Sequence, residues 1–206
     1  MKRKPRLPGV KPLQEKPLRT ALFYGTLTVA ALCIAGCQSF RAGSDPDQDC
    51  KYSVKNRKSY ISFMPDGSSK PVIRTLPLKV DGESMDKLFS SIGLFIGREY
   101  RYGGKTPDGF DCSGFVQYLY EKNFRMLLPR TSGELASLGR VVPKKSLLPG
   151  DLVFFSAEGG RIDHVGIFIG GDRFAHASIK GVKISSLRER WYSVHYACSA
   201  RVITAE

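Results

Sequence analysis

The chain has 206 residues, of which 42% are hydrophobic and 25% charged, a balance that supports one ordinary folded domain with additional segments and excludes a low-complexity chain. Its formal charge of +13 is concentrated at the start, where Lys2, Arg3, Lys4, Arg6, Lys11, Lys16 and Arg19 stand against a single acid, Glu15. Basic charge gathered in a leader, with no RNP-like or helix-turn-helix signature, argues against nucleic acid as a partner.

The uncharged run TALFYGTLTVAALCIAGC, residues 20–37, follows this basic stretch. A basic region, a short apolar region and small residues at its end describe an export signal over residues 1–36, and the run is short for a comfortable membrane span. An uncleaved signal anchor is the competing reading. The closing Ile34, Ala35, Gly36 and Cys37 resemble the lipobox of bacterial lipoproteins. That resemblance implies lipidation at Cys37 and makes the membrane a partner through an N-terminal lipid anchor. Gln38 and Ser39, with no Asp directly after Cys37, are similar to lipoproteins sent to the periplasmic face of the outer membrane. Without residues 1–36 the balance is 25 Lys and Arg to 18 Asp and Glu, a charge of +7 that suits an anionic surface such as cell wall or lipid head groups. Export also permits disulfides. Cys50 and Cys198 then either pair or stay as a tether thiol and a buried core thiol.

Residues 38–50 are polar and turn-rich and read as a tether. Within 51–82, SYISFM and VIRTLPL around PDGSSKP suggest a pair of short strands, with the prolines marking edge positions. From Ser84, a plausible cap, Met85, Leu88, Phe89, Ile92, Phe95 and Ile96 follow helical spacing. This divides the chain into a leader (1–36), a lipidated tether with an N-terminal extension (37–83) and a main domain (84–206). In DGFDCSGFVQYLY, Asp108, Gly109 and Asp111 supply turn and cap chemistry ahead of a helical face carrying Phe115, Val116 and Leu119. Residues 128–139 offer a loop and a short helix. Beyond them GDLVFFS, DHVGIFIGG, RFAHAS, VKISSL and YACSARVI all read as strands. Helices first and strands afterwards make an α+β domain with a mostly antiparallel sheet.

Cys112 sits at the mouth of its helix, where unpaired backbone N–H groups favour a thiolate. A buried packing thiol is the alternative for a lone cysteine. A thiol nucleophile needs a base and a group that orients the base. His164 alternates with Val165, Ile167 and Ile169 on its strand. His176 lies twelve residues on, across a Gly-Gly-Asp turn, so a hairpin closing at Gly170 to Asp172 brings the two histidines together. His195 has no such setting. A zinc site of Cys112, His164 and His176 lacks a fourth ligand and a recognisable ligand spacing, so no metal and no cofactor are expected. Asp111, which would raise the thiol pKa, should point away from the sulfur toward helix capping or a substrate ammonium group.

The segments YRYGG, DCSGFV, LPRTS, LPGDLVFF, DHVGIFIG and FAHAS, in this order, resemble the NlpC/P60 family of cell-wall cysteine peptidases over roughly residues 85–205. The resemblance implies a papain-like core with N-terminal helices on a mostly antiparallel sheet. It implies Cys112 as nucleophile, His164 as general base and His176 as the third polar residue. It also implies peptidoglycan as partner and hydrolysis of γ-D-glutamyl-diaminopimelate or a related cell-wall amide bond, with an adaptor protein, not identified by the sequence, as a further partner. Tyr100 matches the tyrosine that lines the oxyanion and substrate site; Asp111 and Ser113 match positions that contact the peptide's amine and D-glutamyl carboxylate; Arg130, Thr131 and Ser132 match the loop opposite. Leu135 stands where many members have Gln. Two other classes use the same fold: a non-catalytic peptidoglycan-binding lipoprotein and a thioester-based acyl or peptidyl transferase.

Overall fold

A computed structural model describes residues 57–206 of the chain. The expected export leader, the expected lipidation site Cys37, the expected tether, and Cys50 with the question of its pairing to Cys198 lie outside the described residues.

Two short strands, β1 (Tyr60–Phe63) and β2 (Val72–Thr75), pair antiparallel across the Pro-Asp-Gly turn, as the sequence suggests. Next comes β3 (Leu78–Val80), and then α1 (Gly82–Phe95). The first helix starts one turn earlier than the sequence reading. Its cap is Asp81, whose carboxylate accepts the Ser84 N–H at 2.7 Å and the Ser84 hydroxyl at 3.1 Å. Asp81 outcompetes Ser84 because only a residue before the first turn can satisfy that turn's open N–H groups. Met85, Leu88 and Ile92 form the buried face, Phe89 and Phe95 flank it, and Ile96 falls beyond the helix and is exposed.

A small hairpin, β4 (Lys105–Thr106) and β5 (Gly109–Phe110), leads into α2 (Cys112–Phe124), followed by α3 (Ser132–Ala136) and β6 (Arg140–Val141). The remaining elements are β7 (Leu152–Phe155), β8 (His164–Gly170), β9 (Arg173–Ser178), β10 (Gly181–Ser186), α4 (Arg190–His195), β11 (Tyr196–Arg201) and β12 (Ile203–Ala205). Six strands form one antiparallel sheet in the order β10-β9-β8-β7-β11-β6. The α+β expectation is met. The short helix α4, inserted between two segments read as strands, has no counterpart in the sequence reading.

Helix α2 packs on β8 and β9 and against α1. Phe110, Phe115, Val116, Leu119 and Tyr120 are fully buried there with Ile167 and Ala175 of the sheet. Burying a side chain of this size contributes about 1.5–3 kcal/mol each. The opposite sheet face carries a smaller aromatic cluster of Val153, Phe155, Phe168, Phe174 and Leu187, covered by Tyr192 and Tyr196.

Residues before position 84 share the main core, since Ile61, Leu76 and Val80 are buried in it. Strand β3 pairs in parallel with β12, Leu78 opposite Ile203 and Val80 opposite Ala205. A line at position 84 therefore does not separate two cores among the described residues. Patterning cannot reveal this, because the pairing joins segments more than a hundred residues apart.

Candidate active site

Helix α2 begins at Cys112 because Asp111 is extended and its side chain takes the Gly114 N–H at 2.7 Å. Gly114 is required by close approach: a Cβ there would collide with the Gly104 carbonyl oxygen, so the glycine lets the loop after Tyr100 lie on the helix start. Cys112 is 8% exposed. Its Sγ lies 3.8 Å from the carbonyl oxygen of Asp163, and the Val165 N–H also points at it. The sulfur thus rests against the backbone on both sides of His164.

The hairpin of β8 and β9 turns through Gly170, Gly171 and Asp172, all at positive φ, as the sequence suggests. It brings His164 Nε2 to 2.8 Å from His176 Nδ1 with the rings nearly perpendicular, at 86°. Gly166 lies two residues beyond His164 on the same face of β8, and a Cβ there would meet the Phe174 ring at 2.5 Å. His176 is fully buried, and its Nε2 faces the Ser185 hydroxyl at 3.1 Å and the Tyr192 hydroxyl at 3.2 Å. His195 takes no part; its Nδ1 bonds the Trp191 carbonyl and its ring stacks on Trp191.

Asp111 is saturated. It accepts from Gly103 N at 3.0 Å, Gly114 N, the Ser113 hydroxyl at 3.2 Å and both terminal nitrogens of Arg130, one at 3.0 Å to Oδ1. A carboxylate offers about four lone-pair directions, and these protein donors occupy them. Of the two expectations for Asp111, helix capping is the one visible. Burial alone would raise its pKa, but hydrogen bonds from Arg130, Gly114 and Ser113 bring it below its ordinary value. Arg130 also donates to the Ser113 hydroxyl at 2.8 Å.

The loop over Arg130 to Ser132 braces two elements at once. Arg130 grips the start of α2, while the Ser132 hydroxyl donates to the Ile162 carbonyl at 3.3 Å, just before β8. Thr131 is the N-cap of α3 in a reciprocal capping box with Glu134. Leu135 is fully buried in the core. Tyr100 is partly buried; burial raises its pKa, and the charges of Cys112 and Asp111 add to the rise.

The electrostatics correct one expectation. Burial pushes the Cys112 thiol above its ordinary pKa and the Asp111 charge adds to this, outweighing the N–H groups of Val165, Ser113 and Cys112 itself. The helix start favours the thiolate, but by less than desolvation disfavours it. His164 is lowered by burial to about 4, and His176 to about 2 by burial, with His164 and Lys183 contributing. All three directions favour the uncharged forms, a thiol and neutral imidazoles.

A cleft of about 390 Å³ opens at the histidines, lined by Asp163, His164, His176, Ile179 and Trp191 among others. A larger groove of about 640 Å³, lined by residues such as Arg74, Lys87 and Arg125, contains none of these groups. The smaller cleft is thus the one that reaches both histidines.

Ser185 and Tyr192 are the polar neighbours that sequence reasoning missed. Ser185 was within reach of it: Lys183 pairs with His176, so a residue two places along β10 is its diagonal neighbour. Tyr192 depends on α4 folding over the sheet, which no local pattern announces.

The chain resembles known proteins in both sequence and fold. The chain is 44% identical over 109 residues to the Escherichia coli murein DD-endopeptidase MepS/murein LD-carboxypeptidase, covering 52% of this chain and 57% of that one. It is 39% identical over 127 residues to the E. coli murein DD-endopeptidase MepH, covering 59% and 45%. The chain thus spans about half the length of these curated relatives. A crystal structure of an NlpC/P60 family protein from Bacillus cereus superposes with a TM-score of 0.56 at 28% identity, covering 70% of this chain and 51% of that one. Residues 97–201, just over half of the chain, match the sequence profile of the NlpC/P60 family, and with the same segments carrying the cysteine, both histidines and the sheet that holds them, the chain belongs to that family.

Proposed function

We propose that the chain is a peptidoglycan endopeptidase that hydrolyses an amide bond of the stem peptides, with Cys112 as nucleophile, His164 as general base and then acid, and His176 as the group that orients His164. The observation that carries this reading is one juxtaposition: the Cys112 sulfur lies against the backbone flanking His164, whose Nε2 is already engaged by His176 at 2.8 Å. That leaves Nδ1 to serve the sulfur.

From a neutral thiol and imidazole, deprotonation accompanies attack. The Sγ–C bond forms, the thiol proton passes to His164 Nδ1, and the carbonyl electron pair moves onto oxygen. Cys112 is the first residue of α2, so its N–H has no acceptor within the helix and can meet the oxyanion. The adduct then collapses: the C–N bond breaks and His164 protonates the leaving amine. Water, deprotonated by His164, cleaves the thioester and restores the thiol. Arg130 uses part of its donor set on Asp111 and Ser113, and its remaining N–H groups suit a substrate carboxylate.

Two bonds are in question, the γ-D-glutamyl-diaminopimelate bond and the DD bond named for the two E. coli relatives. The saturated Asp111 favours the DD reading, because it leaves no acceptor there for a free peptide amine. Mass spectrometry of muropeptides after incubation with the protein tests this. Separated crosslinked dimers support DD cleavage, shortened stems the γ-D-glutamyl bond, transferred acyl groups a transferase, and unaltered muropeptides a binding protein.

The base sets a pH dependence. His164 must be neutral to accept the thiol proton, and its pKa is lowered to about 4, so kcat/KM should hold as pH falls through 6.5 and decline only near 4. An acid limb centred at 6.5 contradicts this assignment. The same burial weakens the fold in acid: below 6.5 the unfolded histidines bind protons that the folded ones refuse, which removes stability at up to about 1.4 kcal/mol per pH unit for each. Circular dichroism run alongside the rate profile separates the two effects.

The reading also includes lipid attachment at Cys37. Cys37→Ala should abolish incorporation of labelled palmitate into the full chain, and equal labelling of variant and wild type rules that residue out.

A further inference from the structure

His176 has a neighbour on each ring nitrogen. Nδ1 faces His164, and Nε2 faces two oxygens, Ser185 Oγ and the Tyr192 hydroxyl. Ser185 is buried on β10. Tyr192 is half-buried, with its ring packed edge-on against Phe155 at 5.2 Å and Phe174 at 4.9 Å, so aromatic packing fixes where its hydroxyl sits.

Two proton orders fit the His164–His176 contact. In one, His164 carries its proton on Nε2 and donates to a bare His176 Nδ1, which leaves the His164 Nδ1 lone pair for the thiol. In the other, His176 donates from Nδ1, and a neutral His164 then holds its proton on the side of the sulfur and cannot act as base. The far end of the chain decides between them. A bare Nε2 on His176 has one in-plane lone pair and can take a hydrogen from only one hydroxyl, leaving the second oxygen opposed to it. An N–H at Nε2 can be shared between both oxygens, while Tyr192, being half-buried, can direct its own proton to solvent.

We infer that Ser185 and Tyr192 are positioning residues, an acceptor pair that keeps the His176 proton on Nε2 and thereby fixes His164 as the tautomer whose Nδ1 lone pair serves Cys112. The inference rests on the Cys112–His164 reading, and its test is separable from that reading.

The test uses the full chain with ¹⁵N-labelled histidine, as wild type, Ser185→Ala, Tyr192→Phe and the double variant. The ¹⁵N signature of wild-type His176 should show a bare Nδ1 and a protonated Nε2. Each single variant keeps one acceptor and should lose only a few-fold in kcat. The double variant should lose about 10–100-fold in kcat, the range seen when outer groups that orient functional histidines are removed. Its KM should stay within about twofold, and its His176 should become a mixture of tautomers. A proton on Nδ1 of wild-type His176 overturns the inference, as does a double variant with unchanged kcat, or one in which only KM rises. If the double variant does not fold, the wild-type tautomer decides alone. Full activity in Cys112→Ala would instead overturn the underlying reading, and the tautomer measurement does not depend on it.

Discussion

Cys112→Ser should lose at least about 10⁴-fold in turnover of crosslinked muropeptides while keeping its fold. The loss corresponds to more than about 5 kcal/mol of transition-state stabilisation. It follows from the nucleophile itself, since a serine hydroxyl is far less acidic than a thiol and the neighbouring imidazole is a weak base with a pKa of about 4. A site that already disfavours the thiolate has nothing in reserve for a hydroxyl. Stability should change by only about 1 kcal/mol, because the serine O–H can donate to the same Asp163 carbonyl that faces the thiol. Cys112→Ala should be equally inactive. His164→Ala should fall to a similar level, whereas His176→Ala should keep residual turnover, since water can partly replace an orienting group. Wild-type rates in either Cys112 variant would exclude the thiol mechanism.

How much of this site is legible in the sequence depends on how local each contact is. Cys112 at a helix start could be read from an Asx cap followed by apolar residues at helical spacing, because both signals lie within a dozen residues. The His164–His176 contact could be read for a similar reason: strict alternation fixes the strand face, and a Gly-Gly-Asp turn fixes the hairpin. The proton balance could not. Whether Cys112 is thiol or thiolate depends on how completely α2 and the backbone at Asp163 and Val165 exclude water, a sum over segments far apart in the chain. The pairing of Asp111 with Arg130 was hidden likewise, since it needs Gly103, Ser113 and Arg130 to arrive together around one carboxylate. Tyr192 was out of reach because α4 is six residues long and held by aromatic packing on Phe155 and Phe174, not by a helical pattern of its own.

The sheet that carries the histidines is itself held by a buried ion pair. Asp151, 1% exposed, precedes β7, and Arg201, 8% exposed, closes β11. Arg201 donates from Nε to Oδ1 at 2.8 Å and from a terminal nitrogen to Oδ2 at 2.7 Å, and that nitrogen also reaches the Ser146 carbonyl at 3.0 Å. Asp151 accepts the Leu148 N–H at 2.7 Å as well. Forked, doubly hydrogen-bonded geometry of this kind offsets the desolvation of both charges, so the cost appears when one partner is removed. Arg201→Met should lower unfolding free energy by about 3–5 kcal/mol, because the Asp151 carboxylate is then buried without its cation. Asp151→Asn should destabilise too, by stranding the guanidinium. The double variant Asp151→Asn/Arg201→Met should recover part of the loss, since no buried charge remains. Urea unfolding near pH 7 measures all three, with the effect expected in the midpoint and not in the slope. A loss below about 1 kcal/mol in Arg201→Met would mean that water reaches Asp151 and that the pair does not hold the sheet. The two substitutions thus separate chemistry from scaffold: Cys112→Ser removes turnover and keeps the fold, while Arg201→Met, at temperatures where it remains folded, should keep turnover, because Arg201 touches none of the groups around Cys112.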